Sequence, residues 1–285
     1  MVNTQYTGIP AMTSPHLKAV IFDVGGVVMR SPFIAISAYE RKLGIPQNYL
    51  NCSMHVNIML ALTLIFTPLH SVERGSQGAW QKFERGEIPL FEFTKHLAVN
   101  CQILYKTYCT RKGLAVPRLP EKLSVNGRDL FGMMMRESNA YDAHIVQAIH
   151  RIRAAGKHKV IALTNNFAKA DVPASEADFL GWGEGGATPG YLRSLFDDFC
   201  DSSTLGMRKP EAEFYMLACK RNGIEPREAV FLDDIGLNLK AARALGMETI
   251  HVSIGATFEA VKTLEAKLGI DLTSHPAHTT GCAKL

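Results

Sequence analysis

Five polar residues stand directly behind apolar runs, and their side chains are those of an anion-handling site. Asp23 follows Leu17-Lys-Ala-Val-Ile-Phe22, Thr164 and Asn165 follow Lys159-Val-Ile-Ala-Leu163, and Asp233 and Asp234 follow Ala229-Val-Phe-Leu232. Carboxylates brought together repel one another, so a cation is expected among Asp23, Asp233 and Asp234. All-oxygen ligands favour a hard ion, magnesium before any transition metal. Lys209, in Gly206-Met-Arg-Lys-Pro210, adds a fixed positive charge. Carboxylates, magnesium, a lysine and a threonine hydroxyl beside backbone N–H groups suit a phosphoryl group. An aspartate in such a site can attack phosphorus and divide hydrolysis into two easier steps. Taken singly, each residue also has an ordinary reading. Asp23 could cap a turn before two glycines, Asp233 and Asp234 could be a helix N-cap pair, and Lys209 could be solvated.

The elements that would gather these residues are legible as well. The three apolar runs are short, rich in β-branched residues and lack alternation, as expected for parallel strands buried on both faces. Helical patterns separate them: Tyr141 to Ala155 before Gly156, Glu211 to Asn222 before Gly223, and Leu237 to Leu245 before Gly246. Another strand-like run follows, Glu248-Thr-Ile-His-Val-Ser253. Strands alternating with helices predict an α/β fold with a parallel sheet and helices on both faces. Ligands of such sheets bind beyond the carboxyl ends of the strands, where the strand order reverses. The stretch from about Ser31 to Asn139 breaks the rhythm and reads as helices and loops inserted after the first strand, a cap over the strand ends. Within it, Asn51 to Arg74 is apolar and Thr-rich without a clear period. It is read as a buried helix, a membrane-leaning loop or translated intron sequence.

At the residues above, the sequence resembles the haloacid dehalogenase-like (HAD) hydrolase superfamily. Four motifs occur in order: Asp23-Val-Gly-Gly-Val27, Leu163-Thr-Asn165, Arg208-Lys-Pro210 and Asp233-Asp-Ile-Gly-Leu-Asn238. From Gly206 to Gly246 the chain is similar to the N-terminal phosphatase domain of soluble epoxide hydrolases. The resemblance implies a HAD-like Rossmannoid core over 17–30 and 140–272, a helical cap over 31–139 and a C-terminal tail over 273–285. It implies Asp23 as nucleophile and magnesium ligand, with the Gly25 carbonyl and Asp234 as further ligands. Asp233 and Asn238 would support that shell, Thr164 and Asn165 would hold phosphoryl oxygens, and Lys209 would neutralise charge on nucleophile and phosphate. The implied activity is magnesium-dependent hydrolysis of a small phosphorylated substrate through an aspartyl-phosphate.

One position departs from the family pattern. Active HAD phosphatases usually carry a second aspartate two residues after the nucleophile, which protonates the leaving oxygen and later activates water. Gly25 stands there. Loss of a general acid/base typically lowers a rate by about 10²–10⁴. Three outcomes are coherent: a substrate with a good leaving group, a cap residue or water standing in, or a catalytically weak binding or regulatory protein. A 2-haloacid dehalogenase is a further alternative, since halide leaves unprotonated. Those enzymes work without magnesium, however, which would leave Asp233-Asp234 a poorly compensated buried charge.

Composition narrows the remaining classes. Of the 285 residues, 47% are apolar and 20% charged, with a formal net charge of +4, which suits a globular chain and gives no electrostatic footprint for nucleic acid. The six cysteines are scattered with no CxxC, so neither a zinc site nor a disulfide scaffold is expected. No signal peptide is read at the N-terminus, and the longest apolar stretch, Ile58 to Leu69, is short for a membrane span. Gly181-Trp-Gly183-Glu-Gly-Gly186 matches a dinucleotide-binding pattern by letter but follows no first strand, and is read as a loop. Met133-Met-Met135 is read as core packing. Ala283-Lys284-Leu285 is a near variant of the peroxisomal Ser-Lys-Leu address, so peroxisome and cytoplasm are both expected locations, with the import receptor as a candidate partner.

Overall fold

The computed structural model describes residues 13–50, 79–96, 101–118, 125–167, 173–183, 186 and 188–274. The Asn51–Arg74 segment and Ala283-Lys284-Leu285 lie outside these residues. The apolar runs form strands β1 (Ala19–Phe22) and β2 (Lys159–Thr164). Two further strands close to prediction are Ala229–Asp233 and Glu248–His251. A strand not anticipated from the sequence, Asp198–Asp201, completes a parallel five-stranded sheet. In chain order the last three are β3 (198–201), β4 (229–233) and β5 (248–251), and the sheet order is β3-β2-β1-β4-β5.

Side chains alternate across this sheet, and each face carries its own core. Val20, Phe22, Val160, Ala162, Val230 and Leu232 pack on one side with Ile145, Ile149 and Ile152 of helix Ala143–Ala155 and Val261 and Leu264 of helix Thr257–Leu268. On the other side, Ile21, Ile161 and Phe231 pack with Phe214, Tyr215 and Ala218 of helix Ala212–Asn222 and Leu239 and Ala242 of helix Gly236–Ala244. Covering both faces is what permits the strands to be apolar throughout.

Element boundaries shift from the sequence reading where polar side chains intervene. The Asp142 carboxylate accepts from the His144 and Ile145 N–H groups, so the helix expected from Tyr141 starts at Ala143. Tyr141 instead bridges to Met29. Glu211 is the N-cap of its helix, with its carboxylate accepting from the Arg208 N–H, so Pro210 precedes the first turn. β3 escaped prediction because Asp198 and Asp201 bracket only two apolar residues. Asp198 is satisfied at the sheet edge by Arg221 and Asn222.

Between β1 and helix Ala143–Ala155 lie helices Phe33–Lys42, Ala79–Glu84, Leu90–His96, Cys101–Lys112 and Gly127–Glu137. They enclose a separate apolar core that includes Ile36, Phe83, Phe93, Leu130, Phe131 and Met134. Phe83 and Phe93 are stacked at 4.3 Å, and Phe131 meets Phe93 edge-on at 5.6 Å. Met134 and Met135 belong to this core, in line with the packing role read for them. The helix Ala174–Leu180 contributes Leu180 to this third core and packs Phe179 against it. Among the described residues no helix is long and apolar enough to cross a membrane.

Candidate functional site

Register decides which side chains meet. Phe22 pairs with Leu232 on one side and with Ala162 on the other, so Asp23 and Asp233 emerge abreast while Thr164 emerges beside them from β2. The sheet order turns back at β1: the chain builds β2 and β3 to one side, then β4 and β5 to the other. The predicted site therefore lies where open α/β sheets place ligands.

Asp23 is buried, and its Oδ1 accepts from the Val24 N–H at 2.7 Å and pairs with Lys209 Nζ at 2.8 Å. The same ammonium pairs with Asp233 Oδ2 at 2.8 Å. Asp233 is fully satisfied by the protein: the Ile235 N–H donates to Oδ1 at 2.7 Å, and Asn238 Nδ2 lies 3.1 Å from both oxygens. Asn238 is steadied in turn by the Tyr215 hydroxyl, which donates to its carbonyl at 3.0 Å. Asn238 thus braces Asp233, which in turn pairs with Lys209.

Asp234 differs. Ser31 Oγ donates to its Oδ2 at 3.3 Å, whereas its buried Oδ1 has no hydrogen-bond partner among the described residues. Oxygen atoms of Asp23, Asp233 and Asp234 lie within 4.8 Å of one another. Burial pushes the Asp234 carboxyl up to about 7, with Asp233 adding to the shift and Lys209 opposing it. Burial likewise holds Asp23 well above the usual carboxylate range against the opposing pull of Lys209. Burial would lower the Lys209 pKa, but Asp23 and Asp233 outweigh it and raise it. Three carboxylates facing one ammonium leave negative charge uncompensated, and an orphaned buried carboxylate oxygen needs a partner. A hard divalent cation fits that donor set.

Gly26 makes this arrangement possible. Its φ is +87°, and a Cβ there would fall 2.1 Å from Asp234 Oδ2. The carboxylate lies across the glycine backbone, so no larger residue fits.

A cavity of about 150 Å³ opens above these groups. Asp23, Gly25, Thr164, Asn165, Lys209, Asp234 and Asn238 line its floor, which unites the sequence-predicted residues apart from the buried support Asp233. Asn165 has a more particular task than expected: its Nδ2 donates to the Lys209 carbonyl at 3.0 Å and its Oδ1 accepts the Lys209 N–H at 2.8 Å. These two bonds tie the side chain, which also lines the cavity, to the lysine backbone. The walls are apolar, with Met29, Phe33, Trp80, Met134, Met135 and Trp182 among them. Trp182 comes from the glycine-rich loop read from sequence as having no site role.

Sequence reasoning missed Ser31, Glu84 and Asn166, and left Arg208 without a role. Arg208 and Glu84 form a buried ion pair at 2.6 Å on the cavity wall. Only the adjacency of Arg208 to Lys209 hinted at the former. Glu84 is an ordinary polar residue of a short helix until folding brings it across 124 positions to Arg208.

A family model described as haloacid dehalogenase-like hydrolase matches residues 17–246. Over 256 residues the chain is 31% identical to mouse acyl-CoA dehydrogenase family member 10, covering 90% of this chain and 19% of that protein. Over 265 residues it is 30% identical to pig bifunctional epoxide hydrolase 2, covering 92% and 40% respectively. The chain thus spans less than half the length of either relative. A solved HAD-family enzyme from Bacteroides thetaiotaomicron, in complex with magnesium and inorganic phosphate, is 18% identical with a TM-score of 0.46, over 84% of this chain and 96% of that one.

Proposed function

The chain belongs to the haloacid dehalogenase-like hydrolase family, and from that premise we propose that it is a magnesium-dependent phosphatase acting on a phosphate monoester with an apolar body. The observation that carries the proposal is the orphaned Oδ1 of Asp234 beside a nucleophile whose Oδ1 is already fixed by Lys209 and the Val24 N–H. Asp23, Asp234 and the Gly25 carbonyl would hold the ion. When bound, magnesium offsets the local negative charge and withdraws electron density from phosphoryl oxygens.

The protein's own groups then divide the work. An Asp23 oxygen attacks phosphorus while the bond from phosphorus to the leaving oxygen breaks, and the bonding electron pair departs with that oxygen. Lys209 stays between Asp23 and Asp233, where its charge favours the ionised nucleophile and the incoming phosphate. The Thr164 hydroxyl, at the end of β2, would donate to a phosphoryl oxygen. Asn165 fixes the lysine main chain, so the ammonium needs little reorganisation as charge moves. The inserted helices act as a cap whose Trp80, Phe33 and Met134 would cover an apolar substrate body and exclude water. Without an acid at Gly25, the leaving oxygen must carry its charge into solvent, so good leaving groups are favoured.

The test is turnover of a nitroaryl phosphate, with and without magnesium, by the wild type and Asp23→Asn. Magnesium-dependent release of phosphate, reduced by about 10³-fold or more in the variant, is the expected result. Chloride release from a 2-haloacid without magnesium would point to a dehalogenase instead. Silence across aryl, alkyl and acyl phosphates would point to a binding protein.

A further inference from the structure

Once Asp23, Asp234 and Lys209 have roles, one carboxylate on the cavity wall remains unassigned among the described residues: Glu84. It comes from helix Ala79–Glu84 of the inserted segment, not from a strand end. Both contacts with Arg208, from Nε and Nη2 at 2.6 Å, fall on Oε2, so Oε1 takes no part in the pair. The backbone is pinned as firmly. Ser202 Oγ donates to the Glu84 carbonyl at 2.6 Å and accepts the Asn166 N–H at 2.9 Å. Ser202 directly follows β3 and Asn166 lies two residues beyond β2, so Glu84 is tied to the sheet edge that carries Asp23.

A buried ion pair is a weak source of stability, because desolvating both charges offsets most of their attraction. Its place on the cavity wall invites a chemical role. An ionised carboxylate paired with a guanidinium is a proton acceptor with no proton to give. Neutral polar residues that line the same cavity, Ser138, Asn139, Asn165 and Asn166, lack a site that is basic near neutrality. We infer that Glu84 is the general base that activates the water hydrolysing the phosphorylated Asp23, supplying half of the function that Gly25 lacks. This rests on the phosphatase reading above. In that step the water oxygen bonds to phosphorus and its proton passes to Glu84 Oε1. The bond from phosphorus to Asp23 breaks, its electron pair returns to the carboxylate, and inorganic phosphate leaves. Glu84 then releases the proton to solvent.

The experiment is rapid acid quench with ³²P-labelled nitrophenyl phosphate, alongside steady-state rates and thermal melts. In Glu84→Gln, whose amide oxygen still accepts from Arg208, kcat should fall by about 10²-fold or more. Labelled protein should accumulate towards one phosphate per chain, and the label should vanish when Asp23→Asn is added. Glu84→Asp should accumulate label as well, because a shortened arm slows only the second step, and it keeps the test open if the glutamine variant does not fold. Turnover in Glu84→Gln within about threefold of wild type would overturn the assignment, as would a slow variant carrying no more label than wild type. Wild-type protein that neither turns over nor labels would remove the phosphatase reading itself, a result separable from the other two.

Discussion

Gly25→Asp would restore the acid that the family pattern places two residues after the nucleophile, and the structure has room for it. A Cβ at position 25 would meet only Pro32 Cδ, at 3.9 Å, an ordinary van der Waals contact, and the glycine is not in the left-handed region. The new carboxylate would enter the cavity that already holds Asp23 and Asp234. At a separation of about 6 Å and an effective dielectric constant of about 20, each uncompensated charge acts with about 3 kcal/mol, or roughly 2 pKa units. One such neighbour lifts an aspartic acid from about 4 to about 6, where a useful fraction is protonated near neutrality. The expected gain in kcat/KM is about 10²-fold for an alkyl phosphate, whose leaving oxygen needs the proton. For a nitroaryl phosphate, whose leaving oxygen does not, the gain should be under about tenfold. Wild type and variant are compared on such a pair of substrates at saturating magnesium, with a thermal melt to confirm folding. Equal gains on both substrates would refute the role assigned to position 25.

Two further outcomes follow from the geometry. Gly26→Ala places a methyl group 2.1 Å from Asp234 Oδ2 in a backbone of φ +87°, so it should displace the proposed metal ligand and destabilise the fold by about 1–3 kcal/mol. A calorimetric titration with magnesium and a melt check both effects, and unchanged magnesium affinity would contradict the placement of Asp234. At the sheet edge, the Arg221 side-chain hydrogen bonds hold the Asp198 carboxyl below its usual range. A depressed folded-state pKa stabilises above the unfolded value near 4 and loses that contribution as pH falls through the folded one. Asp198→Asn should therefore cost up to about 1 kcal/mol at pH 7 and progressively less towards pH 2, read from urea midpoints at each pH. A pH-independent difference would show that the ion pair is not its source.

How far the molecule can be read before folding depends on the range of the forces involved. Apolar runs without alternation reveal strands buried on both faces because burial acts on every residue of the run, so β1, β2 and β4 were readable with Asp23, Thr164 and Asp233 at or just beyond their ends. Those same local signals missed β3, whose Asp198 finds Arg221 and Asn222 only through tertiary packing. They also described Asn165 by its motif position, without showing that its amide would close on the main chain of Lys209, 44 positions away.

Strand register and residue type, both local properties, thus established which acidic groups and which lysine share an edge. Folding alone distinguished Asp233, with every oxygen satisfied, from Asp234, with one oxygen left bare. It also brought Glu84 and Arg208 to the wall of the same cavity. Hydrogen-bond satisfaction and ion pairing act over about 3 Å between residues with no sequence relation, so three-dimensional packing is what separates the satisfied Asp233 from the proposed ligand Asp234 and marks out Glu84 as the proposed base.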